Sequence, residues 1–284
     1  MSLPLSQAHA DRFVPDGTEL TAALARTTHL AIGAHQDDLE LMAAHGVVEC
    51  FQSSERWFTG VVVTSGGGSA RDFEYKDYSD ERMIDVRRLE QRKAAYIGEY
   101  SAMLQLAHPS RAVKDGDAEV VADLASILAA TRPELVYTHN LADKHDTHVA
   151  VALRVVAACL SLPEAERPKR LIGCEVWRDL DWLCDADKIV MPVSRHENLH
   201  AALMGVFDSQ ISGGKRYDLA TAGRRRAHAT FFESHGTDRE TSLIWGMDLT
   251  PLLAGADPTE LVERYLARFQ AEVLARVGRV SSTP

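Results

Sequence analysis

Three groups able to hold a metal ion stand side by side near the start of this chain, His35, Asp37 and Asp38, in the run Ala34-His35-Gln36-Asp37-Asp38-Leu39-Glu40. Neutral imidazole and carboxylate are the usual ligands of catalytic zinc, which takes three protein groups and keeps a fourth position open. A second concentration follows far downstream: of 12 histidines, His139, His145 and His148 lie within ten residues. His35, one of the paired aspartates and one of these histidines would complete a three-ligand site. A plainer reading competes. Asp37-x-x-Glu40 is also a capping box, in which the first side chain accepts a helix amide and the second bonds back. A capping box needs neither the imidazole at 35 nor a second aspartate, so on that stretch alone metal site and helix cap stand level. The histidine segment alone reads rather as an exposed polar loop.

Other segments carry weaker signals. Ser65-Gly66-Gly67-Gly68-Ser69 lacks the Gly-x-x-x-x-Gly-Lys-Ser/Thr and Gly-x-Gly-x-x-Gly patterns, so its glycines suit close passage of backbone past a ligand better than a nucleotide cradle. Arg87 or Arg88 could bond sugar hydroxyls or a phosphate, although Arg88 fits a solvated helix face equally well. In Glu175-Val176-Trp177-Arg178-Asp179-Leu180-Asp181-Trp182, indole, guanidinium and carboxylate suit the grip of a pyranose, whose apolar face stacks on tryptophan. Trp177 and Trp182 serve at least as well as packing residues. Gly213 to Tyr217 and the His228 to His235 region could line the mouth of the site, although no chemistry requires them, and the absence of Gly-x-Ser-x-Gly removes a serine hydrolase of the nucleophile-elbow type.

The elements that must position these residues follow from hydrophobic periodicity. A helical lead-in over Glu19 to Arg26 precedes a buried strand, His29 to Ala34, and a helix from Leu39 to Phe51. A second strand, Trp57 to Thr64, empties into the glycine loop. The acidic, aromatic loop Asp72 to Asp80 leads to a long helix, Glu81 to Glu99, and a short strand, Met103 to Leu106. Asp115 to Ala130 reads as one helix, Glu134 to Tyr137 as a fourth strand, Val149 to Leu160 as a helix, Arg170 to Trp177 as a fifth strand and Lys188 to Met191 as a sixth. From Glu197 onward the pattern is mostly helical, ending in an amphipathic stretch from Pro258 to Val277. Strands alternating with helices predict an α/β fold: a Rossmann-like, doubly wound, mainly parallel sheet with helices on both faces and a helical C-terminal third. Both metal-ligand segments then leave carboxyl ends of strands, where ligand crevices form. A single domain is expected over 1–284, with a core of about 28–195 and a helical cap of about 196–284.

The totals narrow the function further. A chain of 284 residues with 45% apolar content fills a sizeable core. Its 41 acidic against 31 basic residues, net charge -10, argue against a nucleic-acid or anionic-membrane surface, and the densest basic run, Arg224-Arg225-Arg226, is too short to change that. Cys50, Cys159, Cys174 and Cys184 form no Cys-x-x-Cys pair, so neither zinc ribbon nor disulfide framework is indicated and a reducing cytoplasm is expected. Met1 to Pro15 lacks the features of a signal peptide, and no run approaches the ~18 to 20 apolar residues of a membrane span. Internal repeats and low-complexity segments are absent, and self-association is left open.

Ala34-His35-x-Asp37-Asp38-x-Glu40 together with His145-x-x-His148 resembles the LmbE-like or PIG-L family of zinc-dependent N-acetylglucosaminyl deacetylases, whose signature is Ala-His-Pro-Asp-Asp and a later His-x-x-His. Thr64 to Gly68 resembles that family's glycine loop, Arg87, Glu90, Ala94 and Gly98 resemble its helix motif, and Ser209-Gln210 is a weaker echo. Coverage runs from about residue 28 to 150. Gln36 departs from the pattern, standing where the family usually has proline. The resemblance implies that His35, Asp38 and His148 bind Zn2+ or another divalent metal, that Asp37 is the general base and that a protonated His145 stabilises the oxyanion. Arg87, Gly67, Trp177, Arg178 and Asp181 are the expected substrate contacts. The implied activity is hydrolysis of an acetyl group from a small-molecule N-acetyl amino sugar or its glycoside. The alternatives are an amidase of the same family acting on a thiol conjugate or other amide, and a catalytically silent sugar-binding relative.

Overall fold

The structure is a computed structural model that describes residues 3–282. In chain order its first half comprises strand β1 (Asp11–Phe13), helix α1 (Leu20–Ala25), β2 (His29–Gly33), α2 (Asp38–Met42), α3 (Ala44–Cys50), β3 (Phe58–Thr64), α4 (Asp80–Ile97) and β4 (Ala102–His108). There follow α5 (Ser110–Asp115), α6 (Ala118–Thr131), β5 (Leu135–His139), α7 (Asp146–Ser161), β6 (Arg170–Cys174) and β7 (Lys188–Pro192). The last third adds α8 (Glu197–Gly205), α9 (Asp208–Ile211), α10 (Tyr217–Phe231), β8 (Leu243–Asp248) and α11 (Pro258–Ser281).

All eight strands form one sheet in the order β1-β4-β3-β2-β5-β6-β8-β7. The five central strands are parallel. At one edge β1 runs antiparallel to β4, and at the other β8 runs antiparallel to both β6 and β7. Successive strands leave β2 first toward β3 and β4 and then toward β5 and β6, so the strand order reverses between β2 and β5. A crevice opens at such a switch point, outside the carboxyl ends of the strands.

Alternation along the strands divides the core into two layers. Leu30, Ile32, Val61, Val63, Leu104 and Val136 face α6 and α7 through Leu124, Ile127, Val151 and Val155. Ala31, Val62, Met103 and Tyr137 face the other way, onto Met42, Val47, Ala94 and Leu203. Helices therefore cover both faces, as the periodicity predicts.

Four local expectations change. The helix expected from Leu39 to Phe51 is interrupted at Ala43, which has φ -111° and ψ 21°. The helix expected from Asp115 to Ala130 starts later, at Ala118, because Gly116 takes φ 83° and Asp117 caps the start by accepting from the Glu119 amide, and a separate short helix, α5, precedes it. The fifth strand stops at Cys174 instead of running on to Trp177. Two strands are additional: β1, too short for a periodic signal, and β8, inserted between β6 and β7 from the otherwise helical C-terminal third. Among the described residues no helix is long and apolar enough to cross a membrane.

Candidate active site

The turn after β2 is held in place by side chains distant in sequence. Asp37 adopts φ 80°, a conformation that costs a non-glycine residue on the order of 1 kcal/mol or more. Its amide donates to Gln91 Oε1 at 3.1 Å, and Arg87 donates to Gln36 O at 2.8 Å and Gly66 O at 3.1 Å, so α4 clamps the turn. The buried Gln36 donates from Nε2 to Gln105 Oε1 at 3.1 Å, tying the turn to β4 where the resembling family has a proline. The capping box is absent. The Asp37 side chain accepts no helix amide. Glu40 instead accepts from Gln91 Nε2 at 2.8 Å and Tyr100 Oη at 2.7 Å.

Beside this turn lies the end of β5 and the start of α7. His145 is the N-cap of α7 and His148 lies in its first turn, with its ring stacked between those of His139 and His145. His35 Nδ1 and Asp38 Oδ2 are 3.3 Å apart, His148 Nε2 and Asp38 Oδ2 are 3.5 Å apart, and His148 Nε2 and His35 Nδ1 are 3.2 Å apart. Four ligands at ~2.1 Å from a tetrahedral ion are separated by about 3.4 Å, so these three atoms are spaced as the face of a zinc-type coordination shell. Two further, overlapping trios are His35, His145 and His148, and Asp38, His139 and His148. His139 is a poorer ligand because its Nε2 already accepts the Ala34 amide at 2.9 Å, which makes it a brace for the end of β2.

The electrostatics divide the two aspartates. Burial opposes ionisation of Asp38, but His148, His139 and His35 outweigh it and hold the carboxyl well below its usual range. Asp37 goes the other way: burial is the largest effect, the Arg87 guanidinium 3.8 Å away resists it, and Asp38, Glu40 and Glu90 add to it, leaving its pKa well above the usual carboxylate value. Burial likewise lowers the pKa of His35. For His148, burial lowers the pKa but Asp38 and Asp143 raise it further. Asp143 Oδ1 lies 3.4 Å from His148 Nδ1, the carboxylate–histidine arrangement that leaves Nε2 free for a metal.

His35, Asp37 and Asp38 line a cavity of about 490 Å³ together with the loop 65–70, Arg87, His145, Trp177, Gln210, Lys215 and Tyr217. His145 Nδ1 accepts the Thr147 amide at 3.2 Å, which leaves its proton on Nε2. Burial, then His148 and His35, lower its pKa. In this arrangement the ring offers Nε2–H as its donor. Gly66 has φ 75°, and a Cβ there would lie 2.2 Å from Gln36 Oε1, so the loop needs glycine at that point. Gly67 and Trp177 line the cavity, and Trp177 is 38% exposed with Tyr217 edge-on to it.

Arg178 and Asp181 are not brought to the cavity. Both are exposed, and Asp181 lies 3.7 Å from Lys188 Nζ. The cause is Glu175, whose carboxylate accepts from the Leu180 and Trp245 amides at 2.7 and 3.1 Å and contacts His228, folding the chain back directly after β6. Several site residues escaped the sequence: His139 as a brace, Asp143 behind His148 and Gln91 behind Asp37; Gly213, Lys215 and Tyr217 line the cavity wall. Proximity to the histidines was the one available signal for Asp143. Glu90 accepts from Ser209 N and Oγ, both at 2.7 Å, which sets Gln210 in the lining and connects two of the matched motifs.

Residues 30–159 match the family model for GlcNAc-PI de-N-acetylase, PIG-L. The uncharacterized deacetylase YaiS of Escherichia coli K12 is 26% identical over 151 residues, which cover 53% of this chain and 78% of that protein. The N,N'-diacetylchitobiose deacetylase of Pyrococcus horikoshii, solved with an inhibitor, superposes with a TM-score of 0.62 at 14% identity, covering 82% of this chain and 87% of that one. The 4-carboxy-2-hydroxymuconate hydratase GalB of Pseudomonas putida KT2440 superposes with a TM-score of 0.57 at 15% identity over 78% of this chain and 96% of that one, so the shared fold does not by itself specify the reaction. The segment that matches the PIG-L family of deacetylases holds both His35-x-Asp37-Asp38 and His145-x-x-His148.

Proposed function

We propose that this protein is a metal-dependent N-deacetylase that hydrolyses the acetamide of an N-acetylated amino sugar or its glycoside. The observation that carries this reading is the spacing of His35 Nδ1, Asp38 Oδ2 and His148 Nε2, 3.2 to 3.5 Å apart, beside a buried and separately tuned Asp37. The three residues would hold Zn2+ or a similar divalent ion, which supplies Lewis acidity and lowers the pKa of water to about 7. Asp37 takes a proton from the attacking water, and its raised pKa makes it a stronger base than an exposed carboxylate. Water adds to the amide carbonyl, and His145 donates from Nε2 to the oxygen as it gains negative charge. Asp37 then delivers the proton to the leaving nitrogen as the C–N bond breaks, giving acetate and a free amine. Trp177 offers its indole face to the pyranose, and Arg87 keeps Asp37 and the glycine loop in register.

The test is acetate release from a panel of N-acetylated amino sugars by metal-replete protein, with metal content measured in parallel. Asp37→Ala is expected to lower kcat by roughly 10²- to 10⁴-fold while the metal content stays unchanged. Full activity in that variant refutes the assigned base, and protein that holds no divalent ion and ignores chelators refutes the metal site. A larger acid in place of acetate would identify the amidase reading.

A further inference from the structure

Helix α11 keeps side-chain contacts with the body as far as Glu272, in its fourth turn, but buries residues only in its first two turns. Its buried residues are Leu261 and Tyr265; Tyr265 donates to Asp248 O at 3.1 Å, and Arg268 pairs with Asp187 at 2.9 Å. From Leu266 to Ser282 every residue is exposed. At ~1.5 Å per residue the arm from Leu266 to Ser281 reaches about 24 Å. A helix of that length is marginal by itself in water and is ordinarily stabilised by packing an apolar face. The arm has such a face: Leu266, Phe269, Val273, Val277 and Val280 recur every three or four residues, with Leu274 beside them. Exposure is 60% at Leu274, 59% at Val277 and 67% at Val280. These six side chains offer roughly 600 Å² of apolar surface, as large as the largest patches on ordinary monomers.

We propose that α11 is a self-association surface on which two copies of this chain pair antiparallel about Val273. Two such faces together bury about 1,200 Å², the lower end of what stable, specific interfaces need. The stripe is self-complementary under a two-fold axis: Leu266 meets Val280, Phe269 meets Val277 and Val273 meets its own counterpart. Glu272 and Arg276, bonded within the helix at 2.8 Å, flank Val273. Antiparallel pairing sets each arginine near the glutamate of the other copy, on the same side of the seam.

Sedimentation velocity of the full chain is expected to show a concentration-dependent dimer, and Val273→Glu combined with Val277→Glu is expected to remain monomeric up to about 100 µM with the thermal unfolding of the body retained. In a Cys184→Ser background, Val273→Cys is expected to form a disulfide-linked dimer on mild oxidation, while Ala271→Cys, on the opposite side of the helix, does not. A wild-type chain that stays monomeric overturns the proposal, whether or not it binds lipid vesicles or another protein. So do a dimer that survives the double substitution and cross-linking that is equal at both cysteines.

Discussion

Glu40 provides a stability test that separates the observed turn from the helix cap suggested by its sequence spacing. Burial lifts its carboxyl from 4.5 to about 7, although Tyr100 and Gln91 both donate to it. The folded protein therefore holds a proton on Glu40 more tightly than the unfolded chain does. Stability is highest below the unfolded value and is lost as pH rises through the interval up to about 7. At ~1.4 kcal/mol per pKa unit the whole interval amounts to about 3.5 kcal/mol, of which about 2.5 kcal/mol falls between pH 5 and pH 8. Glu40→Gln keeps an oxygen to accept both hydrogen bonds and removes the titration. Urea unfolding in EDTA should therefore show the variant gaining about 2.5 kcal/mol on wild type between pH 5 and pH 8. A difference that stays constant over this range would refute the reasoning, and so would a variant that loses ground as pH rises.

Arg87→Gln removes the cation that restrains Asp37. The pKa of Asp37 then rises further, the base form appears only at higher pH, and the acid limb of the kcat profile is expected to move up by roughly 1 to 3 pH units. An unmoved limb would separate the profile from Asp37. Asp143→Asn leaves His148 without the carboxylate behind Nδ1 and should weaken Zn2+ affinity by about 10- to 100-fold in a competitive chelator titration. His139→Gln is expected to retain one metal ion per chain while His148→Ala loses it, because His139 Nε2 is occupied by the Ala34 amide. Metal loss in both variants would favour the trio that includes His139.

The ligand types and the edge of the sheet on which they gather were legible in the residues themselves. His35 follows one buried apolar run and His139 another, and parallel strands place their carboxyl ends on the same side whatever lies between them. Helices on both faces follow from the strand–helix alternation, and Gly66 marks a loop that passes close to other atoms. These are local properties, carried by residue type and by spacing over a few positions.

Long-range packing decided the rest. Asp37 and Glu40 spell a cap, yet Gln91 and Tyr100, more than 50 residues away, take the turn amide and the glutamate and leave Asp37 free. Which histidine faces Asp38 depends on where α7 begins: with His145 as N-cap, the first turn carries His148 inward against Asp38 and Asp143. The substrate segment after β6 read as a continuing strand, but Glu175 bonds the amides of Leu180 and Trp245 and turns Arg178 and Asp181 away from the cavity. The Trp245 amide belongs to β8, which reaches β6 only through antiparallel pairing with a strand some 70 residues earlier. Sequence by itself determined which groups could bind a metal and at which sheet edge. Only the tertiary structure decided which of them converge, because backbone phase and remote hydrogen bonds set the direction of each side chain.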